Sequence, residues 1–313
     1  MATDERNFRS SYYEKVGFRS VEERKSLEIL LKDIPLDRAK LTQFCLRFTV
    51  PGLYRSLLWK VLLGVLPVHV QSHKFVMLQR KEQYRDLYQS LNVMRITSKN
   101  TPNSQLFLLM WLLEIGQLKI DWQSQVEEPL NQHLMAITES ILHLFPDAID
   151  AYWISKGFYR CVNKFQKGLP SLVNCTMAIL EKEDGTLYSY LLEIRAFQVL
   201  PLESWFYRCF AGVLYDQALR KIWDKLAGGS CKILVYVAIV LLITLRRGIF
   251  GSKTRDEVLN HLSNINEEAA DVIANKAIEM WQQHGSALTP GVGHDSMKSH
   301  ALLHRSKNAY TPI

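Results

Sequence analysis

His69 and His73 stand one helical turn apart, and in this chain they are the pair whose spacing best suits metal chemistry. Two imidazoles at i, i+4 can share a helix face, but the glutamate of H-E-x-x-H is missing and no third ligand accompanies them. A solvated helix start just after Pro67 accounts for the pair better, so neither a metal nor another cofactor is expected. Gly228-Gly229-Ser230-Cys231-Lys232 is a poor copy of the G-x-S-x-G nucleophile elbow, and its helical surroundings are wrong for one. No G-x-x-x-x-G-K-[ST] occurs, so the chain is not itself a P-loop GTPase. The five cysteines, Cys45, Cys161, Cys175, Cys209 and Cys231, are odd in number and scattered, with no C-x-x-C pair. With the polar, charged N-terminal stretch they predict reduced thiols in a cytoplasmic protein.

The elements that must position these residues are helical. Leu27, Leu30 and Leu31 recur at i, i+3, i+4, and Leu219, Ile222, Trp223 and Leu226 at i, i+3, i+4, i+7. Each pattern draws an apolar stripe that has to be covered. Asp184-Gly185 lies between two helical patterns and reads as a helix-to-helix turn. Glycine is sparse, 15 in 313 residues, against a usual share of about 7%. The expected fold is all-α, with helix boundaries at Pro35, Pro51, Pro67, Pro102, Pro129, Pro146, Pro170 and Pro201, because proline disfavours helix at the residue before it. The run Ile233–Ile243 is too short for a membrane span, which needs about 20 residues, and reads as a helix buried on most sides. The expected organisation is an N-terminal arm over residues 1–20, a helical domain over 21–284, and a disordered tail over 285–313.

Charge narrows the partners. The net charge of +7 arises from 38 basic and 31 acidic side chains, spread without a block of like charges. That pattern is no nucleic-acid footprint. Arg246, Arg247, Lys253 and Arg255 allow at most a peripheral membrane contact, since each basic residue near an anionic surface contributes about 1 kcal/mol.

Four motifs follow one another along the chain: Pro51-x3-Arg55-x3-Trp59-x2-Leu62-Leu63-Gly64, Asp147-Ala148-x2-Ala151-Tyr152-Trp153, Trp205-Phe206-x2-Cys209-Phe210, and Leu219-x2-Ile222-Trp223-Asp224. Arg55 and Trp59 share a helix face. Tyr152, Trp153, Trp205 and Phe206 are doubled aromatics suited to core packing. Asp224 is a carboxylate that burial would oblige to pair, with Arg55 as candidate partner. In order and spacing these motifs resemble the TBC domain of Rab GTPase-activating proteins. Asn7-Phe8-Arg9-Ser10, Ser26-Leu27-Glu28-Ile29 and Gly229-Ser230-Cys231-Lys232 sharpen the resemblance to one branch of that family. It implies a subunit of the tuberous sclerosis complex that docks on the hamartin coiled coil. Through tuberin that complex activates GTP hydrolysis by Rheb and restrains mTOR signalling, at the lysosomal surface or on cytoplasmic vesicles.

The resemblance also implies where catalysis would reside. Active TBC domains carry I-x-x-D-x-x-R, whose arginine neutralises charge on the transferring phosphoryl group, and Y-x-Q-G-M-N, whose glutamine orients water. An arginine finger is worth about 10³–10⁵ in rate. Here Ile96-x-x-Lys99-x-x-Pro102 occupies the first region, with lysine for aspartate and proline for arginine. Leu130-Asn131-Gln132-His133-Leu134-Met135 occupies the second, with Gln132 near the glutamine position but without its Tyr and Gly-Met-Asn surroundings. Ile34-x-x-Asp37-x-x-Lys40 and Tyr215-x-Gln217 imitate the motifs in the wrong order. The expected catalytic set is therefore none. The alternative is an active Rab GTPase-activating protein using Arg95 or Gln132 as a non-standard finger.

The unbroken apolar run Leu106–Leu113 allows two readings. It is a helix buried within the domain, or it offers one face to a partner helix. Leu106, Phe107, Met110, Trp111 and Glu114 are the partner-binding residues under the second reading.

Overall fold

Short polar caps mark where the helices start. Asp37 accepts a hydrogen bond from the Lys40 amide (3.1 Å) and Asp147 one from the Asp150 amide (2.8 Å). Asp184 serves two helices at once: its amide closes onto Leu180 O, and its Oδ1 accepts from the Leu187 amide at 3.0 Å. The computed structural model describes residues 18–284, with side chains from Val21. Much of the expected arm, and the tail over 285–313, lie outside the described residues. The first helix begins at Phe18, inside the stretch expected to be an arm, because no proline or glycine interrupts propagation back from the Leu27 turn.

The helices are α1 (Phe18–Leu30), α2 (Arg38–Arg47), α3 (Gly52–Leu62), α4 (His73–Val93), α5 (Asn103–Glu114), α6 (Trp122–Glu127), α7 (Pro129–Leu144), α8 (Ala148–Phe165), α9 (Leu169–Glu183), α10 (Gly185–Glu193), α11 (Leu202–Tyr207), α12 (Asp216–Ala227), α13 (Ile233–Thr244), α14 (Arg246–Gly251), α15 (Arg255–Ser263) and α16 (Glu267–His284). No strand occurs among the described residues.

Helix α13 carries no charged side chain and is buried from Ile233 through Leu242, with α16 and α9 packed along it. Helix α5 is its counterpart in the N-terminal half, covered by α7, α4, α6 and α8. Both belong to the large core. A smaller core gathers Leu27, Leu41, Phe44, Leu58, Val61 and Leu66 from α1, α2, α3 and the turn after α3. Helix α3 serves both: Leu58, Val61 and Leu62 face the smaller core, while Trp59 enters the larger. There its ring meets Phe145, Phe158 and Trp223 at centroid distances of 5.5, 5.3 and 6.3 Å. Gly157 lets α8 approach the end of α3, since a Cβ at this position would stand 2.7 Å from Leu63 Cβ.

Candidate functional site

A carboxylate with no exposed surface ties the two cores together. Asp224, on α12, accepts through Oδ1 from Arg55 Nε (3.1 Å) and Trp59 Nε1 (2.9 Å). Its Oδ2 accepts from the Val50 amide (3.0 Å) and Arg55 Nη2 (3.3 Å), and Arg55 Nη2 also donates to Val50 O. Burial pushes the Asp224 carboxyl up, and Arg55 with the Val50 amide pulls it back. The neighbouring Lys225 is also buried and donates to Cys45 O and Phe48 O, each at 2.7 Å. Asp224 and Lys225 thus fasten the turn between α2 and α3. Both Asp224 oxygens are occupied by donors from within the domain, so the cluster is architectural. Trp223 Nε1 donates to Cys209 O (2.9 Å), which brings the Trp205-Phe206 segment to the same helix. Trp205 and Phe206 are buried, and the Trp205 ring lies 5.7 Å from Phe210.

The second polar cluster joins α4, α5 and α8. Glu114 accepts from Gln83 Nε2 (3.1 Å), from Tyr152 OH (3.2 Å) and from Lys156 Nζ. Two cations approach the Trp153 ring, the Arg80 guanidinium at 4.3 Å and Lys156 Nζ at 4.6 Å from its centroid. Burial raises the Tyr152 hydroxyl, as does Glu114, and burial lowers Lys156.

This arrangement corrects the partner-face reading of α5. Leu106, Phe107, Met110 and Trp111 are all buried, Phe107 fully, with its ring 5.4 Å from Tyr152 and 6.1 Å from Tyr84. Glu114 is engaged internally by three donors. Helices stand on too many sides of α5 to leave a face free, as an all-round apolar sequence requires. Helix α4, in which only Leu91 is buried, presents two large apolar side chains on one face. Phe75 is 66% and Leu78 53% exposed, and with exposed Glu82 and Arg85 they form an i, i+3, i+7, i+10 stripe. Sequence reading passed over them because α4 is polar on average and two apolar residues seldom stand out.

The segments expected at the finger positions reach the surface. Lys99 and Pro102 are exposed, and Pro102 stands at the N-cap of α5 with its carbonyl accepting from the Leu106 amide. Thr101 Oγ1 accepts from the Ser98 amide (2.9 Å), which folds the loop before it. Arg95 is exposed in a left-handed turn (φ 57°) at the end of α4, and its side chain makes no hydrogen bond or ion pair among the described residues. Gln132 is exposed, with its amide donating to Val126 O at 2.8 Å. Of the imitations, Asp37 is the cap of α2 and Tyr215 precedes α12.

The remaining chemical candidates are quiet. His73 Nε2 bonds to Pro67 O (2.8 Å), and the described residues hold no cluster of three potential ligands around a metal-sized site. No described helix is long and apolar enough to cross a membrane. Of the four basic residues set aside for a membrane, Arg246 is paired with Asp184 (3.1 Å) and Arg255 bonds Gln198 (3.3 Å).

This all-α body, with its Arg-x3-Trp helix bonded to the aspartate of a Trp-Asp pair far along the chain, shares its fold with solved TBC domains. The Ypt/Rab-GAP domain of Gyp1p superposes with a TM-score of 0.59 at 13% identity, covering 84% of this chain and 98% of that domain. The Chlamydomonas flagellar RabGAP TBC domain gives 0.53 at 14% identity, over 90% of this chain and 94% of that one. At such identities the likeness is one of fold. Sequence relatives are nearer. The chain is 44% identical to human TBC1 domain family member 7 over 281 residues, 90% of this chain and 96% of that protein. Identity to the bovine protein is 45% over the same shares. To the Danio rerio protein it is 42% over 286 residues, 91% of this chain and 97% of that protein. This chain belongs to the TBC1 domain family. No general family profile matches it.

Proposed function

We propose that the protein is a non-catalytic TBC-fold adaptor that binds a helical partner along α4, and that the partner is the hamartin coiled coil within the tuberous sclerosis complex. The observation that carries the reading is the exposed stripe of Phe75, Leu78, Glu82 and Arg85. Its three- and four-residue steps are those an amphipathic helix or coiled coil presents, and apolar anchors flanked by charges suit such a partner. Pro102 and Lys99 support the non-catalytic half. Proline has no cation for a phosphate, and Pro102 is committed to starting α5. In this role the protein acts in the cytoplasm and at the lysosomal surface, supporting tuberin-dependent GTP hydrolysis by Rheb and hence restraint of mTOR signalling, without supplying a catalytic group.

Titrating the purified chain with a hamartin coiled-coil peptide tests this. Saturable binding that falls at least about 30-fold in Phe75→Glu/Leu78→Glu, a loss of about 2 kcal/mol, is the expected result. Binding that survives the double variant removes α4 as the surface, and no binding at tens of micromolar removes the partner.

A second reading rests on Arg95, an unpaired guanidinium on the loop leading to α5. A Rab GTPase-activating protein could use it as a non-standard finger, with Gln132 once its bond to Val126 O is released. Single-turnover GTP hydrolysis across a Rab panel distinguishes the two. Stimulation abolished by Arg95→Ala establishes this second reading, and a flat panel supports the adaptor.

A further inference from the structure

A half-enclosed cavity of about 450 Å³ opens where α3, α8 and α12 end. Such a volume suits a small organic ligand. Arg38, Arg160 and Lys164 stand on its wall, and Leu62, Leu63 and Leu226 contribute apolar surface. Arg160 and Lys164 are one turn apart on α8, and Arg38 reaches in from the start of α2. None of the three has a carboxylate partner among the described residues. The thiol of Cys161 on the same wall registers this field: burial raises it, and Lys164 and Arg160 oppose the rise.

Helix ends explain part of the arrangement. Carbonyls at the close of a helix attract cations, and Arg38 Nη2 donates to Leu62 O (2.7 Å) while Arg160 Nη2 makes a long contact to Leu63 O (3.4 Å). These bonds use one N–H of the five on each guanidinium. The Lys164 ammonium makes no hydrogen bond among the described residues. Three solvent-exposed like charges with spare donors border one concavity, where a single anion can engage all of them.

We infer that this cavity is a binding site for a phosphate-bearing small molecule or headgroup, with Arg38, Arg160 and Lys164 holding the phosphate and the leucines covering the organic portion. A phosphate dianion matches the uncompensated charge better than a single carboxylate, and the guanidinium fork suits its oxygens. The site is separate from the α4 surface and does not depend on it.

Calorimetric titration of the full chain with pyrophosphate is one arm of the test. Co-flotation with phosphatidylcholine vesicles, with or without phosphatidylinositol 4-phosphate, is the other. Saturable pyrophosphate binding with Kd below about 1 mM, weakened at least about tenfold in Arg160→Gln/Lys164→Gln, supports the site and a free phosphate compound as its source. Flotation that needs the phosphoinositide and is lost in the same variant supports it with a lipid headgroup. Arg247→Gln/Lys253→Gln, which removes equal charge elsewhere, must retain binding. Equal loss in both variants, or no binding in either arm, overturns the inference. Alkylation followed by mass spectrometry gives a readout without mutation: bound pyrophosphate should slow Cys161 at least about threefold, as expected for a largely occupied site, and leave exposed Cys175 unchanged. Equal rates at Cys161 with and without the anion likewise count against the site.

Discussion

Asp224 accepts four hydrogen bonds, from Arg55, Trp59 and the Val50 amide, in a place no water reaches. Removing the carboxylate leaves a buried guanidinium without its counter-charge, a loss that typically amounts to about 3–5 kcal/mol. Asp224→Ala should lower the urea midpoint accordingly, and a shift of less than about 1 kcal/mol would show that the cluster tolerates dissolution. Lys225 gives a pH signature of its own. Burial pushes its ammonium down to about 8, against the opposing pull of Asp224. In the unfolded chain a lysine titrates near about 10.4. Between these values the unfolded chain binds more protons than the folded one. The stability contributed through Lys225 is therefore lowest below the folded pKa and rises with pH across that window, by at most about 3 kcal/mol. Unfolding of the native chain and of Lys225→Met at about pH 7 and about pH 9.5 checks the sign: the native chain must gain on the variant as pH rises.

At the scale of elements, α5 and α4 exchange the parts that composition suggests. The apolar α5 is interior, and the polar α4 carries Phe75 and Leu78 at the surface. Phe107→Glu is thus a folding lesion, expected to cost about 4 kcal/mol or more because it strands a charge in a dry core. Phe75→Glu should leave the thermal midpoint within about 2 °C of the native value, as an exposed substitution does. Differential scanning of the two variants separates interior from surface directly. The α3–α8 crossing offers a sharper case. Gly157→Ala places a methyl 2.7 Å from Leu63 Cβ and 2.9 Å from its Cδ1, and overpacking of this kind costs about 1–3 kcal/mol. Adding Leu63→Ala removes the Cδ1 contact but leaves the Cβ one, so chemical denaturation should show partial recovery.

For the whole molecule, the closing element is α16. Its Ile273, Ala277 and Trp281 are fully buried, it packs along α13 and α12, and Gln282 Nε2 reaches Arg47 O (3.0 Å). The last described helix therefore touches the second. A chain ending at Ser263 would expose one side of α13 and should aggregate or unfold without cooperativity in circular dichroism, since a bare apolar helix face has no other cover. Much of this architecture is legible in residue order. The Leu219-Ile222-Trp223-Leu226 stripe, the prolines at helix starts and the Arg-x3-Trp and Trp-Asp signatures specify helices and their class, because periodicity and capping act over a turn or two of chain. The cost of burying a lone carboxylate says that Asp224 needs a partner, but that the partner is Arg55, 169 positions away, is decided by packing. Which apolar helix goes inside, and which basic residues gather at the cavity of Arg38, Arg160 and Lys164, was settled only by packing. Those residues are 122 and 126 positions from Arg38, and α5 differs from a docking helix only in how many neighbours cover it. Local sequence determines what each segment can bury, while long-range contact decides what each one does bury.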